Sequence, residues 1–96
     1  MKYATWKLNW ADPKYGTSPE SSIVEQGGTA EASYAEGDIT NGARILGYFT
    51  GKPKNLEAWE FTEITQQEAL DFVLALDETA YLLDNGRIAI VYEEIL

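Results

Sequence analysis

The chain has 96 residues, no histidine, no cysteine and a formal charge of −9, from sixteen acidic and seven basic side chains. Without those two residue types no Ser-His-Asp or Cys-His arrangement can form, nor a zinc site built on them, nor a disulfide framework. A surface this acidic also disfavours direct contact with a phosphate backbone. The length suits one α+β domain over 1–96 with a modest core, which twelve aromatics, three of them Trp, can fill with few side chains. No apolar run approaches the roughly 18 residues of a membrane span, and no basic-then-apolar leader opens the chain. Neither a membrane association nor a secretory signal is therefore expected.

The first strand is expected over 2–10, with Ala4, Trp6, Leu8 and Trp10 on one face and Tyr3, Thr5, Lys7 and Asn9 on the other. After a turn at Asp12-Pro13, Ser18-Pro19-Glu20 supplies a hydroxyl cap, a proline at the first helical position and an acid in the first turn. That helix must stop at Gly27-Gly28 and is too short to stand alone. Ala30, Ala32 and Tyr34 then alternate with Glu31 and Ser33 as a strand does, although Ala and Glu favour helix. Strand is preferred over 29–36, because Glu36-Gly37-Asp38 then turns the chain into 43–50. This next run is apolar on both faces and reads as an interior strand. Gly47 within it points to a bulge or a close neighbour, such as an indole over the missing side chain.

A strand over 57–63, with Trp59 and Phe61 on one face, leads into a helix opened by the capping box Thr65-Gln66-Gln67-Glu68. On the helical wheel Ala69, Leu70, Phe72, Val73, Leu74 and Leu76 sweep one side, an arc wide enough for a helix pressed deep onto a sheet. Asn85-Gly86 between the apolar runs 80–83 and 87–92 is a strong hairpin signal. The order strand, helix, strand, strand thus occurs twice. It suggests two helices on one face of a mainly antiparallel sheet, and a duplicated βαββ unit.

No cofactor is expected. Gly27-Gly28 lacks the spacing of a phosphate loop, and Asp84-Asn85-Gly86 lacks that of a calcium loop. Glu57 and Glu63, flanking the Trp59/Phe61 face, are the only carboxylate pair with a catalytic reading, and strand ends commonly carry such groups in solvent. Trp6, Trp10, Trp59 and Phe61 could form a platform for flat ligands, but rings at strand spacing are more often core. Tyr3, Tyr15, Tyr48 and Tyr92 are better suited to a protein interface, together with the apolar ending Ile95-Leu96. The charge is also uneven: 15–43 holds five acids and no base, and 55–86 eight acids and no base.

The opening Met1-Lys2-Tyr3-Ala4-Thr5-Trp6, the stretch from Asp12-Pro13-Lys14-Tyr15-Gly16 through Thr17-Ser18-Pro19-Glu20, and Tyr81-Leu82-Leu83-Asp84-Asn85-Gly86-Arg87-Ile88 resemble small proteins of tailed phages, particularly those infecting cyanobacteria. The resemblance covers about a third of the chain, carries no catalytic motif, and implies a virion or host-cytoplasm setting. The expected role is a non-enzymatic structural or protein-interaction module of a larger assembly, such as a small tail or capsid accessory protein of a phage virion, with other protein subunits as partners, homo-oligomeric or within a phage particle. The alternatives are an acidic DNA mimic that inhibits a host nucleic-acid enzyme, and a small-molecule binder using the tryptophan face.

Overall fold

Trp6 and Gly47 explain how the central sheet is put together. The computed structural model describes residues 1–9, 23–24, 27–40, 42–57 and 59–91. β1 (Lys2–Leu8) pairs antiparallel with β3 (Gly42–Gly51), from Lys2 opposite Phe49 to Leu8 opposite Ala43. This register sets Ala4 beside Gly47, and the Trp6 indole lies over the glycine. A Cβ at Gly47 would stand 2.3 Å from the indole Cη2 and 2.4 Å from the Glu31 carbonyl oxygen. On the far side of β3, β2 (Thr29–Asp38) pairs antiparallel and shifts register between Ala32 and Tyr34, opposite Gly47 and Leu46. The close neighbour is thus on one side of Gly47 and the bulge on the other. β2 is a strand despite its Ala and Glu content, because pairing with β3 outweighs local helix preference.

β4 (Thr62–Ile64) closes the order β2-β3-β1-β4, so both long apolar strands are interior. The sheet is buried on two faces. Ala4, Trp6 and Leu8 pack with Ala43, Ile45, Phe49, Ile23, Trp59 and Phe61 on one. Tyr3, Leu46 and Tyr48 pack with Ala69, Val73 and Ile88 on the other. β1 is consequently buried at Tyr3 and Thr5 as well as on its Trp6 face, where a half-exposed strand is expected from the alternation.

Other expectations are corrected as well. Among the described residues of the segment 57–63, only 62 and 63 are strand, as the start of β4. Before it, Phe61 N–H donates to Leu56 O (2.9 Å), Glu60 N–H donates to Glu57 O (3.1 Å), and Glu60 has φ 49°. These two bonds around a left-handed residue form the Schellman pattern that closes a helical turn. The turn, rather than strand alternation, swings Trp59 into the core, where its carbonyl receives Lys7 N–H at 2.7 Å. Phe61 then stacks on Trp6 with centroids 5.8 Å apart. The same pattern ends the first helical segment: Gly28 N–H donates to Ile23 O, Gly27 N–H donates to Val24 O, and Gly27 has φ 86°. Apart from Ile23 and Val24, which are helical, the segment expected to run to Gln26 lies outside the described residues, as does Trp10.

α1 (Gln66–Leu76) starts with the expected capping box: Glu68 N–H donates to Thr65 Oγ1, and Thr65 N–H to the Glu68 carboxylate, both at 3.1 Å. It sits less deep than its sequence suggests. Ala69 and Val73 are buried and Leu70 and Phe72 half-buried, while Leu74 and Leu76 are exposed. It covers the Tyr3/Tyr48 face and Ile23 the opposite one, so the two do not share a side of the sheet. The hairpin forms around Asn85-Gly86 as β5 (Tyr81–Leu82) and β6 (Ile88–Ala89). Leu83 N–H donates to Arg87 O and Gly86 N–H to Leu83 O; Gly86 has φ 89° and Asn85 no positive φ. The three-residue loop is therefore a type I turn ending in a left-handed glycine rather than the two-residue mirror turn. The halves of the chain are not equivalent, since β2 and β3 join the main sheet and β5 and β6 pair only with each other.

Candidate functional site

The β5–β6 ribbon buries little of itself, so what fixes it to the sheet is polar. Three tyrosines, one from each long strand, reach it with their hydroxyls. Tyr3 donates to Gly86 O (2.6 Å), Tyr34 donates to Ile88 O (2.8 Å), and Tyr48 accepts from Ile88 N–H (2.8 Å). Tyr3 also accepts from Gln66 Nε2 at 2.9 Å, tying the start of α1 to the same hub. Its ring meets Tyr48 edge-on at 5.9 Å. Burial and neighbouring negative groups raise the Tyr34 hydroxyl above its ordinary pKa, so it stays a neutral donor. On the solvent side, the Arg87 guanidinium grips both Glu31 carboxylate oxygens and lies 4.7 Å over the Tyr48 ring. Hydrogen bonding to Arg87 holds the Glu31 carboxyl below its ordinary pKa.

The register divides the ribbon's side chains between two sides. Tyr81 lies opposite Ala89 and Leu82 opposite Ile88, while Val91 N–H donates to Thr79 Oγ1 at 3.0 Å. Ile88, with Ala80 and Ile90, packs inward against Tyr48 and Val73. Strand alternation turns Tyr81, Leu83, Ala89 and Val91 the other way. Tyr81 is 45% exposed, Leu83 39% and Val91 52%. Six of the nine exposed large apolar residues among those described lie at 74–91: Leu74, Leu76, Tyr81, Leu82, Leu83 and Val91.

Of the tyrosines expected at an interface, Tyr3 and Tyr48 are instead buried, at 4% and 5% exposure, because their hydroxyls hold the ribbon. Tyr15, Tyr92, Ile95 and Leu96 lie outside the described residues. Trp6, Trp59 and Phe61 are core, so they offer no open platform. Glu63 pairs with Lys52 at 3.1 Å and Glu57 is exposed on the 56–61 turn, so the two do not converge on a cleft. Among the described residues no cluster of three or more Asp or Glu could hold a metal, and no helix is long and apolar enough to cross a membrane. An open groove of about 610 Å³ runs beside the ribbon between Lys2, Phe49, Glu31 and Arg87, where Glu31 and Arg87 already occupy one another.

The outward residues Tyr81, Leu83, Ala89 and Val91 escaped the sequence reading because apolar residues occupy both parities of 80–92. The period alone could not say which parity faced the core. No family model, no curated protein and no solved structure matches the chain.

Proposed function

We propose that the chain is a non-enzymatic structural or protein-interaction module of a larger assembly, and that the outward face of the 79–91 ribbon is its contact surface. The observation that carries this reading is the exposed strip Tyr81, Leu83 and Val91 on a ribbon whose inner face is already fixed by three hydroxyls. The resemblance to small tailed-phage proteins supports a phage particle as the assembly, with a virion accessory role. The experiment is co-assembly or co-sedimentation with particle components, comparing the intact chain with Tyr81→Ser/Leu83→Ser. The double variant should keep its fold, since neither side chain belongs to the buried core, and should lose association at least about tenfold. Association should persist in moderate salt. If it vanished in moderate salt yet ignored the double substitution, the acidic DNA mimic would be the better reading.

A further inference from the structure

The charges around the ribbon say what kind of surface could cover it. Asp77 and Glu78 stand where α1 runs into β5, and Asp84 stands in the turn at the other end. The Asp77 carboxylate accepts from Thr79 N–H and Oγ1 (2.9 and 2.6 Å), which holds it below its ordinary pKa and anionic. The one cation of the ribbon, Arg87, is already bound to Glu31. Lys7 and Arg44 both reach Glu60, and Lys52 reaches Glu63, on other parts of the sheet. Lys2 stands beside the 84–86 turn with its ammonium 5.8 Å over the Phe49 ring, so the strip Tyr81-Leu83-Ala89-Val91 is an apolar centre whose acids Asp77 and Glu78 at one end and Asp84 at the other outnumber the cations near it.

A second copy of the chain fits this face poorly. A two-fold pairing of like surfaces would bring the acidic ends of one ribbon, Asp77-Glu78 and Asp84, against the acidic ends of the other, in a molecule that already carries −9. We infer that the ribbon docks a polypeptide segment of the opposite make-up, apolar side chains set between lysines or arginines. The inference rests on the interaction reading above and adds the partner's chemistry. In such a contact the apolar centre sets how long the partner stays, and the acidic ends set how fast it arrives.

The test uses three short synthetic peptides with the same leucine content, whose intervening residues are lysine, serine or glutamate. Binding to the full chain is followed by backbone amide NMR shifts and by association and dissociation rates. The expected result is that the lysine peptide shifts Tyr81, Leu83, Ala89 and Val91, and binds at least about tenfold more tightly than the glutamate peptide. Glu78→Gln/Asp84→Asn should slow its association severalfold and leave dissociation unchanged, and Leu83→Ser should do the reverse. If all three peptides bound the ribbon equally, the basic partner would be overturned while the interaction surface stood. If the lysine peptide bound but shifted only acidic residues elsewhere, or ignored Leu83→Ser, both readings would fall. Self-association of the intact chain that Leu83→Ser abolished would replace the basic partner with a second copy.

Discussion

Glu60 holds a left-handed backbone conformation that glycine would adopt without strain, and Gly47 holds a close approach that only glycine allows. Glu60 sits at φ 49°, the left-handed region where a side chain costs roughly 1–2 kcal/mol. Its carboxylate lies between Lys7 at 3.7 Å and Arg44 at 3.4 Å, on half-exposed side chains whose pairing contributes little in water. Glycine would remove the strain and the ion pairs together. Glu60→Gly should therefore leave stability unchanged or raise it by up to about 1 kcal/mol, while Glu60→Ala, strained and unpaired, should lose about 0.5–1 kcal/mol. Urea melts of the two variants separate the outcomes. Gly47 is the opposite case, since its space is occupied by the Trp6 ring and by main chain. Gly47→Ala should fall at or above the upper end of the roughly 1–3 kcal/mol typical of overpacking, with the indole or β2 displaced. A silent Gly47→Ala would show that β2 and β3 can part at the bulge without cost.

The ribbon is the part of the fold with the most polar support and the least burial, so it should respond to pH before the sheet does. Glu31 has a lowered pKa in the folded protein because Arg87 stabilises its anion. A group with a depressed folded pKa contributes stability above its unfolded value, about 4.3 for Glu, and loses it as pH falls through the lower folded value. Measured relative to the intrinsic rate at each pH, amide exchange at Leu83 and Arg87 should therefore quicken as the pH falls below the ordinary glutamate range, while β1 and β3 amides remain protected. Glu31→Gln should show the quick exchange already at neutral pH, with little further change on acidification. Much of the local structure was legible beforehand, because each signal was a short-range device. The capping box at Thr65 and Glu68, the stop at Gly27-Gly28 and the turn at Asn85-Gly86 all appear in the structure. The segment 57–63 was misread because Trp59 and Phe61 have the spacing of a strand, and the positive φ of Glu60 has no glycine to announce it. The depth of α1 was overstated for a related reason. A wide apolar arc fits a deeply packed helix, yet it fits equally a helix whose Leu74 and Leu76 are left exposed.

The α+β class followed from the alternation of strand and helix signals, whereas the two-faced burial of the sheet did not, because it depends on which neighbours β1 acquires. Tyr3 and Thr5 look like a solvent face until α1 and β4 are placed beside them. The same gap hid the proposed contact surface, since Tyr3 and Tyr48 looked like interface residues and the structure turns their hydroxyls inward. With −9 spread over the chain and its described ion pairs half-exposed, mutual repulsion should outweigh pairing in the response to salt. The melting temperature should rise between about 0.01 and about 0.15 M salt, as screening relieves the repulsion. A fall would mean that the glutamate pairs matter more than their exposure suggests. The tyrosine hydroxyls bind only main-chain atoms of the ribbon, at Gly86 and Ile88. Every residue type offers the same carbonyl, and all but proline the same amide. The anchorage is therefore blind to the side chains at 81, 83, 89 and 91, so mutation can redraw the outward face without disturbing what holds it in place.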